Sequence, residues 1–499
     1  MPPKSHIKSV AVVGAGAAGA AVAAALKAEN YFERIQVFER RETAGGTWIY
    51  DAEPDPLPLC PGKLPPDTDP ALEIPEALPR ITPPVDQKRW TKTPIYNSLT
   101  TNVPAIAMSF SDSQFAYGPF VPHHVPRQYV ENYFSIHKTD SFLQLNTTVE
   151  DITKLPPSKD RSSERWKLTL RKHDALRRVD IWWEEEFDAV ILANGHYAVP
   201  YIPQVIGLEE YIAKYPDRIS HSKKYRAPTI YAGKKVLLIG NSASGHDLSL
   251  DLVGVAKAPV YQSRRSKARW DGDGPLSGIA WKPVIREYLP SGRIVFEDDS
   301  YLDDVDAVLY CTGYQPSFPF WNAQANGRPL WDYAANKLVG TYWHTFFQDL
   351  GTLAIVGVPR TLTFRSFEYQ AIAIARLFAG RNALPLPPLE EQEQWEAERA
   401  RRTRAEGKKF HDVPWDEGQT IEWLDGLFRI AGLGTIRGEG LVPPALSPEL
   451  IWAVEHLRKY PEEPSEHEEK GSDEVHAARA EGGWVVVQRE KLPLGGVLP

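Results

Sequence analysis

Short apolar runs that stop at glycine punctuate this chain, and the residues after each stop predict the next element. Residues 7–13 form a β-branched run ending in a glycine cluster, and the alanine-rich residues 17–28 come next, a pattern that predicts strand, turn and helix. Residues 35–39 predict a second strand directly afterwards. Residues 187–192, led in by Glu184, Glu185 and Glu186, predict another buried strand that closes on Ala193, Asn194, Gly195 and His196. A fresh strand, turn and helix are predicted over 235–252, with the next strand at 259–262. A matching strand at 306–310 closes on Cys311, Thr312, Gly313 and Tyr314. These two closures bracket the second glycine-rich unit, so the pattern predicts an α/β chain with one domain inserted into another. Beyond them, 353–358 reads as a strand, 369–378 as a helix and 389–409 as a solvated, charge-rich helix. From 51 to 94 about a dozen prolines exclude regular helix and central strand, which predicts a long irregular insertion on the surface. Residues 461–480 are acidic and polar and predict a loosely ordered, solvating stretch.

The first glycine cluster reads G-A-G-A-A-G between a strand and a helix. Gly14 permits the tight turn, Gly16 lets backbone amides approach a pyrophosphate, and Gly19 lets the helix pack close to the strand. Ala17 and Ala18 open a helix whose N-terminus carries partial positive charge. Glu39, closing the next strand, is placed to accept hydrogen bonds from ribose hydroxyls, and Arg40 comes directly after it. This unit is assigned to FAD. Residues 240–245 repeat the pattern as G-N-S-A-S-G, with Ser242 where the second glycine belongs and Ala243, Ser244 and Gly245 entering the helix. A small serine still allows phosphate approach, and its hydroxyl can donate a hydrogen bond. After the next strand stand Arg264 and Arg265 rather than an acid, which favours the 2′-phosphate of NADPH over NADH. The expected architecture is therefore two Rossmann-like dinucleotide-binding domains, the NADPH domain inserted into the FAD domain. Its segments are 1–205 (FAD, with the 51–94 insertion), 206–315 (NADPH), 316–430 (FAD again) and 431–499, a partly flexible C-terminal extension.

A chain of 499 residues supports two or more domains. No apolar run reaches the roughly 20 residues of a membrane span, and no cleavable leader is legible near Met1, so the expectation is a soluble, cytoplasmic protein. A net charge of −8 without a basic cluster argues against nucleic acid. Cys60 and Cys311 are too few for a disulfide framework or a cysteine metal site, and they do not form a C-x-x-C dithiol. With nucleic acid disfavoured by charge, small molecules are the expected partners and a homo-oligomer is an open option; neither a Ser-His-Asp order, nor a paired-carboxylate motif, nor metal-ligand spacing is legible.

With both fingerprints placed, residues 7–400 resemble the flavin-containing monooxygenases, especially their fungal members. Gly45, Gly46, Thr47 and Trp48 resemble the family's G-G-x-W, and the stretch 97–112 resembles its L-x-T-N-x-P segment, with Asn102 at the asparagine. Residues 215–225 match the spacing of F-x-G-x-x-x-H-x-x-x-[FY]; Tyr215 and Asp217 replace the phenylalanine and glycine, while His221 and Tyr225 are kept. Cys311, Thr312, Gly313 and Tyr314 resemble A-T-G-Y, and Gln370 falls in a family-like Q-A helix. Taken singly, Asn102 is a common turn cap and His221 a common structural histidine; their shared order carries the resemblance.

The resemblance implies that NADPH reduces FAD, that reduced flavin captures O2 as a 4a-hydroperoxide, and that a nucleophilic nitrogen or sulfur takes the terminal oxygen. It places Asn102 near the flavin ring as the catalytic position and His221 at the junction of the two domains. The protein's task is to orient the cofactors and exclude water. Three alternatives stay open: a Baeyer-Villiger monooxygenase, an NADPH oxidase releasing H2O2, and a non-catalytic dinucleotide sensor. A disulfide reductase is set aside for want of paired cysteines. No motif identifies the substrate.

Overall fold

The computed structural model describes residues 6–156, 164–268, 271, 274–432, 439–460 and 485–486. The acidic stretch at 461–480 and the nearby Gly482 and Gly483 lie outside the described residues. Two sheets, one mainly and one wholly parallel, organise the molecule. The first runs, from one edge, Leu353–Ile355, Ala189–Leu192, Ser9–Val13, Arg34–Phe38 and Leu143–Gln144, all parallel, with Phe346–Phe347 and Thr341–Tyr342 continuing it antiparallel beyond Leu353–Ile355. Its strands come from both sides of the second sheet in sequence. That second sheet is wholly parallel, in the order Ile219–His221, Ala307–Tyr310, Val236–Ile239, Val260–Ser263, Ile279–Lys282. The fold is thus α/β, with one Rossmann-like unit set into another.

The strand pleat explains why the first run is apolar at consecutive positions. Val10 and Val12 join a core with the helices Ala17–Ala28 and Phe364–Phe378, whereas Ala11 and Val13 join one with Trp166, Leu168 and Phe187 on the opposite face. The alanines of Ala17–Ala28, ten of whose residues are buried, let Phe364–Phe378 approach closely.

Four details differ from the sequence reading. The predicted strand at 187–192 is two: Val179–Phe187 ends before Ala189–Leu192 begins. Asp188 between them turns its carboxylate onto the amides of Lys8 and Ser9 at 2.9 and 2.8 Å, tying the break to the first strand. Val179–Phe187 belongs to an antiparallel sheet with Arg165–Asp174, Thr147–Leu155 and Arg80–Thr82. The helix expected at 369–378 begins five residues earlier, at Phe364, and the one expected at 389–409 stops at Ala405, short of Gly407 with φ +65°. Lastly, the proline-rich insertion is irregular but not wholly superficial. It contributes the edge strand Arg80–Thr82, and Asp51, Asp55, Trp90 and Thr93 are buried.

Near the C-terminus, Pro448–His456 packs against Ala105–Met108, and Leu457–Arg458 pairs with Val485–Val486. Among the described residues no helix is long and apolar enough to cross a membrane.

Candidate active site

The first glycine turn shapes a cavity of about 220 Å³. Gly14 has φ +109°, and a Cβ there would lie 2.5 Å from the carbonyl oxygen of Ala193 on the neighbouring strand. Gly16 caps the helix Ala17–Ala28 in extended conformation without any side-chain cap, so the first-turn amides face the cavity with no side chain satisfying them. Gly46 closes the other side: its Cβ would come within 2.7 Å of the Gly16 Cα. Two backbones stripped of side chains, beside an uncapped helix N-terminus, fit a pyrophosphate. Glu39 is buried; its carboxylate accepts the amides of Ala15 at 2.8 Å and Arg41 at 2.9 Å, which braces the turn while the residue lines the cavity. Arg40 also lines it and donates to the Trp90 carbonyl at 3.0 Å. Ala17, Ala18, Thr47 and Trp48 complete this wall, with the Trp48 ring edge-on to Phe364 at 6.3 Å. Gly19 does not line the cavity; its role is packing, since a Cβ there would sit 2.0 Å from the Gly14 oxygen.

The second turn reproduces the first. Gly240 has φ +107°, with a virtual Cβ 2.8 Å from the Cys311 oxygen, and a Cβ on Gly245 would lie 2.1 Å from the Gly240 oxygen. Ser242 occupies the cap position at φ −80°, ψ −170°, almost the −78°, −168° of Gly16. That conformation is open to any L-residue, so the serine costs no strain. Its hydroxyl does not cap the helix Ala243–Leu252, leaving the amides at Ala243 and Ser244 available. Arg264 is committed elsewhere: its guanidinium stacks 3.7 Å from the Trp281 ring centroid and pairs with Asp271 at 3.1 Å. Arg265 beside it is exposed.

His221 ends the edge strand of the second sheet and is fully buried. The Lys223 amide donates to its Nδ1 at 3.0 Å, and its ring meets Tyr314 edge-on at 5.2 Å. Burial pushes its pKa down to about 3, so it is neutral at physiological pH. Thr312 donates its hydroxyl to the Tyr201 carbonyl, and Gly313 takes φ +83°. Gln370 is buried away from the cavity: its Oε1 accepts the Gly357 amide at 3.0 Å and its Nε2 donates to Thr345 at 2.9 Å, holding the turn whose Gly357 does line the cavity.

The structure adds residues that local pattern does not single out. Thr91, Lys92, Thr93 and Pro94, the end of the insertion, line the first cavity. Lys223 and Arg226, just after His221 in the chain, clasp that insertion: Lys223 pairs with Asp55 at 3.4 Å, and Arg226 donates to the carbonyls of Asp51 at 2.5 Å and Thr93 at 3.2 Å. The H-S-K-K-Y spacing is visible in sequence, but its lysine gives no hint of a partner so distant along the chain.

Asn102 does not line the first cavity. It is exposed and lines a second one of about 450 Å³, bounded also by Val103, Pro104, Asp412, Trp415 and Tyr460. Among the described residues, Arg360 alone lines both cavities. Among the described residues, no group of histidines, cysteines and carboxylates is arranged to hold a metal ion.

Comparison with known proteins agrees with this geometry. The flavin-binding monooxygenase-like family model matches residues 84–270 and 276–433, and a NAD(P)-binding Rossmann-like domain model matches residues 12–61. The flavin-containing monooxygenase FMO GS-OX5 of Arabidopsis thaliana is 30% identical over 402 residues, 77% of each chain. The flavin-containing monooxygenase iboF of Amanita muscaria is 27% identical over 433 residues, 76% of this chain and 80% of that one. Among solved structures, S-allyl-L-cysteine S-oxygenase from Allium sativum superposes with a TM-score of 0.68 at 26% identity, covering 86% of this chain and 89% of that chain. The glycine turns, the paired Rossmann-like units and these matches together show that the chain belongs to the flavin-binding monooxygenase-like family.

Proposed function

We propose that the protein is an NADPH-dependent monooxygenase that transfers one oxygen atom of O2 to a nucleophilic nitrogen or sulfur of a small molecule. The observation that carries this reading is that Arg360 lines both the cavity of Gly14 and Gly16 and the cavity lined by Asn102. The balance is NADPH + H⁺ + O2 + substrate giving NADP⁺ + H2O + oxygenated substrate. Bound FAD would supply the redox chemistry, accepting hydride from the nicotinamide and activating O2.

The chain's own residues bind, orient and shield. Gly14, Gly16 and Gly46 admit the FAD pyrophosphate to the amides of the helix N-terminus, and Glu39 and Arg40 serve the adjoining ribose. Ser242, Ala243 and Ser244 offer the equivalent amides to NADPH. Because Arg264 is held by Asp271 and Trp281, the 2′-phosphate falls to Arg265. Replacement by alanine (Arg265→Ala) should lower the preference for NADPH over NADH about tenfold or more, measured as the ratio of kcat/KM values. An unchanged ratio would remove Arg265 from this role.

Asn102 makes no side-chain hydrogen bond among the described residues and faces the second cavity, which leaves its amide to bound ligands and to the shielding of the reacting centre. Asn102→Ser should keep a full complement of FAD but divert NADPH consumption from product to H2O2, lowering coupling on the order of tenfold. Wild-type coupling in that variant contradicts the assignment.

A further inference from the structure

The charged groups around the second cavity are not equally available. Lys408 is paired with Glu406 at 3.0 Å and with Glu417, and Lys459 is paired with Asp247 at 3.3 Å. Arg458 donates to the carbonyls of Val454 at 2.7 Å and Leu457 at 3.1 Å. Arg360 differs. Among the described residues its guanidinium meets no carboxylate; its contact is with the Tyr197 ring, 5.9 Å from the centroid. The same cavity is also lined by the carboxylates of Asp412, Asp416 and Glu417, of which Glu417 pairs with Lys408, and Arg360 acts on two basic neighbours. His196 and Lys409 are both held below their ordinary pKa range, first by burial and then by the positive charge of Arg360. A guanidinium without a carboxylate partner is stabilised by an anion, and its planar fork offers a carboxylate two parallel hydrogen bonds.

Position decides which anion. The pyrophosphate of FAD belongs at the glycine turn, and that of NADPH at the turn of residues 240–245. Arg360 instead lines both the cavity at the first glycine turn and the cavity lined by Asn102. On the monooxygenase reading, a substrate in the second cavity brings its reactive atom to the side that Arg360 lines.

We propose that Arg360 is a specificity-determining residue and that the substrate is a small carboxylate-bearing thioether or amine, its carboxylate held by Arg360, which lines both cavities. This rests on the monooxygenase reading above and adds the charge of the substrate to it. A matched pair of probes tests it on the FAD-loaded enzyme: 3-(methylthio)propionate and its uncharged analogue 3-(methylthio)propan-1-ol. Wild-type enzyme should prefer the acid in kcat/KM, and Arg360→Met should reduce the acid-over-alcohol ratio about tenfold or more. Arg360→Lys should restore part of it, since charge is kept but the bidentate geometry is lost. Equilibrium dialysis of the propionate against the oxidised holoenzyme gives a readout independent of turnover, and Arg360→Met should weaken that binding by a similar factor.

Three results overturn the proposal: an unchanged ratio, an equal loss for both probes, or a variant whose KM rises for NADPH and not for the acid. Should neither probe be oxygenated while NADPH is consumed to give H2O2, the monooxygenase reading fails. Dialysis still decides the anion site in that case, because propionate bound by wild type and lost in Arg360→Met supports it and equal binding removes it.

Discussion

Gly14→Ala should yield a colourless protein. Two independent obstacles meet at this position. The backbone holds φ +109°, a region where L side chains are strained by roughly 1–3 kcal/mol. The new Cβ would also fall 2.5 Å from the oxygen and 3.0 Å from the carbon of the Ala193 carbonyl, both backbone atoms that a side-chain rotation cannot relieve. Either the turn unwinds or the strand end at Ala193 moves, and Ala193 and Asn194 are themselves part of the cavity wall. A combined cost of about 3 kcal/mol or more corresponds to about a hundredfold weaker FAD binding. The check is flavin absorbance per protein after gel filtration, with circular dichroism to confirm the fold. Full flavin content in a folded variant contradicts the placement of FAD at this turn.

The equivalent change in the second unit should separate the two cofactors. In Gly245→Ala the new Cβ would lie 2.1 Å from the Gly240 oxygen, forcing the helix Ala243–Leu252 away from the strand Val236–Ile239 and displacing the turn between them. The first sheet and its glycines are untouched, so the protein should purify yellow. Reduction by NADPH at a fixed concentration should slow about tenfold or more, while reduction by dithionite proceeds as in wild type. Anaerobic stopped-flow absorbance reads both. A variant reduced by NADPH at the wild-type rate would break the assignment of the second turn to the nicotinamide cofactor.

How legible each feature is in the sequence depends on how local it is. The glycine turns are legible because every requirement they satisfy lies within one strand-turn-helix unit. The tolerance of Ser242 is legible too, since the cap position needs a small residue and not a positive φ. The antiparallel sheet escapes the sequence reading despite a period-2 signal: Trp166, Leu168 and Leu170 are fully buried and alternate with Arg165, Lys167 and Thr169, of which Thr169 is also buried. The division at Asp188 is hidden because a single acidic residue between Phe187 and the apolar run 189–192 does not announce a strand end, and what divides them is a carboxylate reaching back to Lys8 and Ser9.

The second cavity cannot be read from the sequence at all. Its walls come from residues near 102, 360, 412 and 458, separated along the chain by loops and helices that carry no shared motif. For the same reason resemblance alone pairs Asn102 with the flavin ring; the fold places Asn102 on the wall of the second cavity, which Arg360 also lines. Gln370 illustrates the converse. It lies on a helix of the cofactor domain, and its amide braces the Gly357 turn, which itself lines the cavity.

The most direct test of the central claim is to trace the oxygen through turnover. FAD-loaded protein is supplied with NADPH, ¹⁸O2 and 3-(methylthio)propionate, and NADPH loss, H2O2 and product mass are measured together. A monooxygenase gives sulfoxide carrying one ¹⁸O atom for each NADPH consumed, with H2O2 a minor product and NADH a much poorer reductant. Consumption of NADPH matched by an equal amount of H2O2, with no labelled sulfoxide, would contradict oxygen transfer and leave an NADPH oxidase on the same fold.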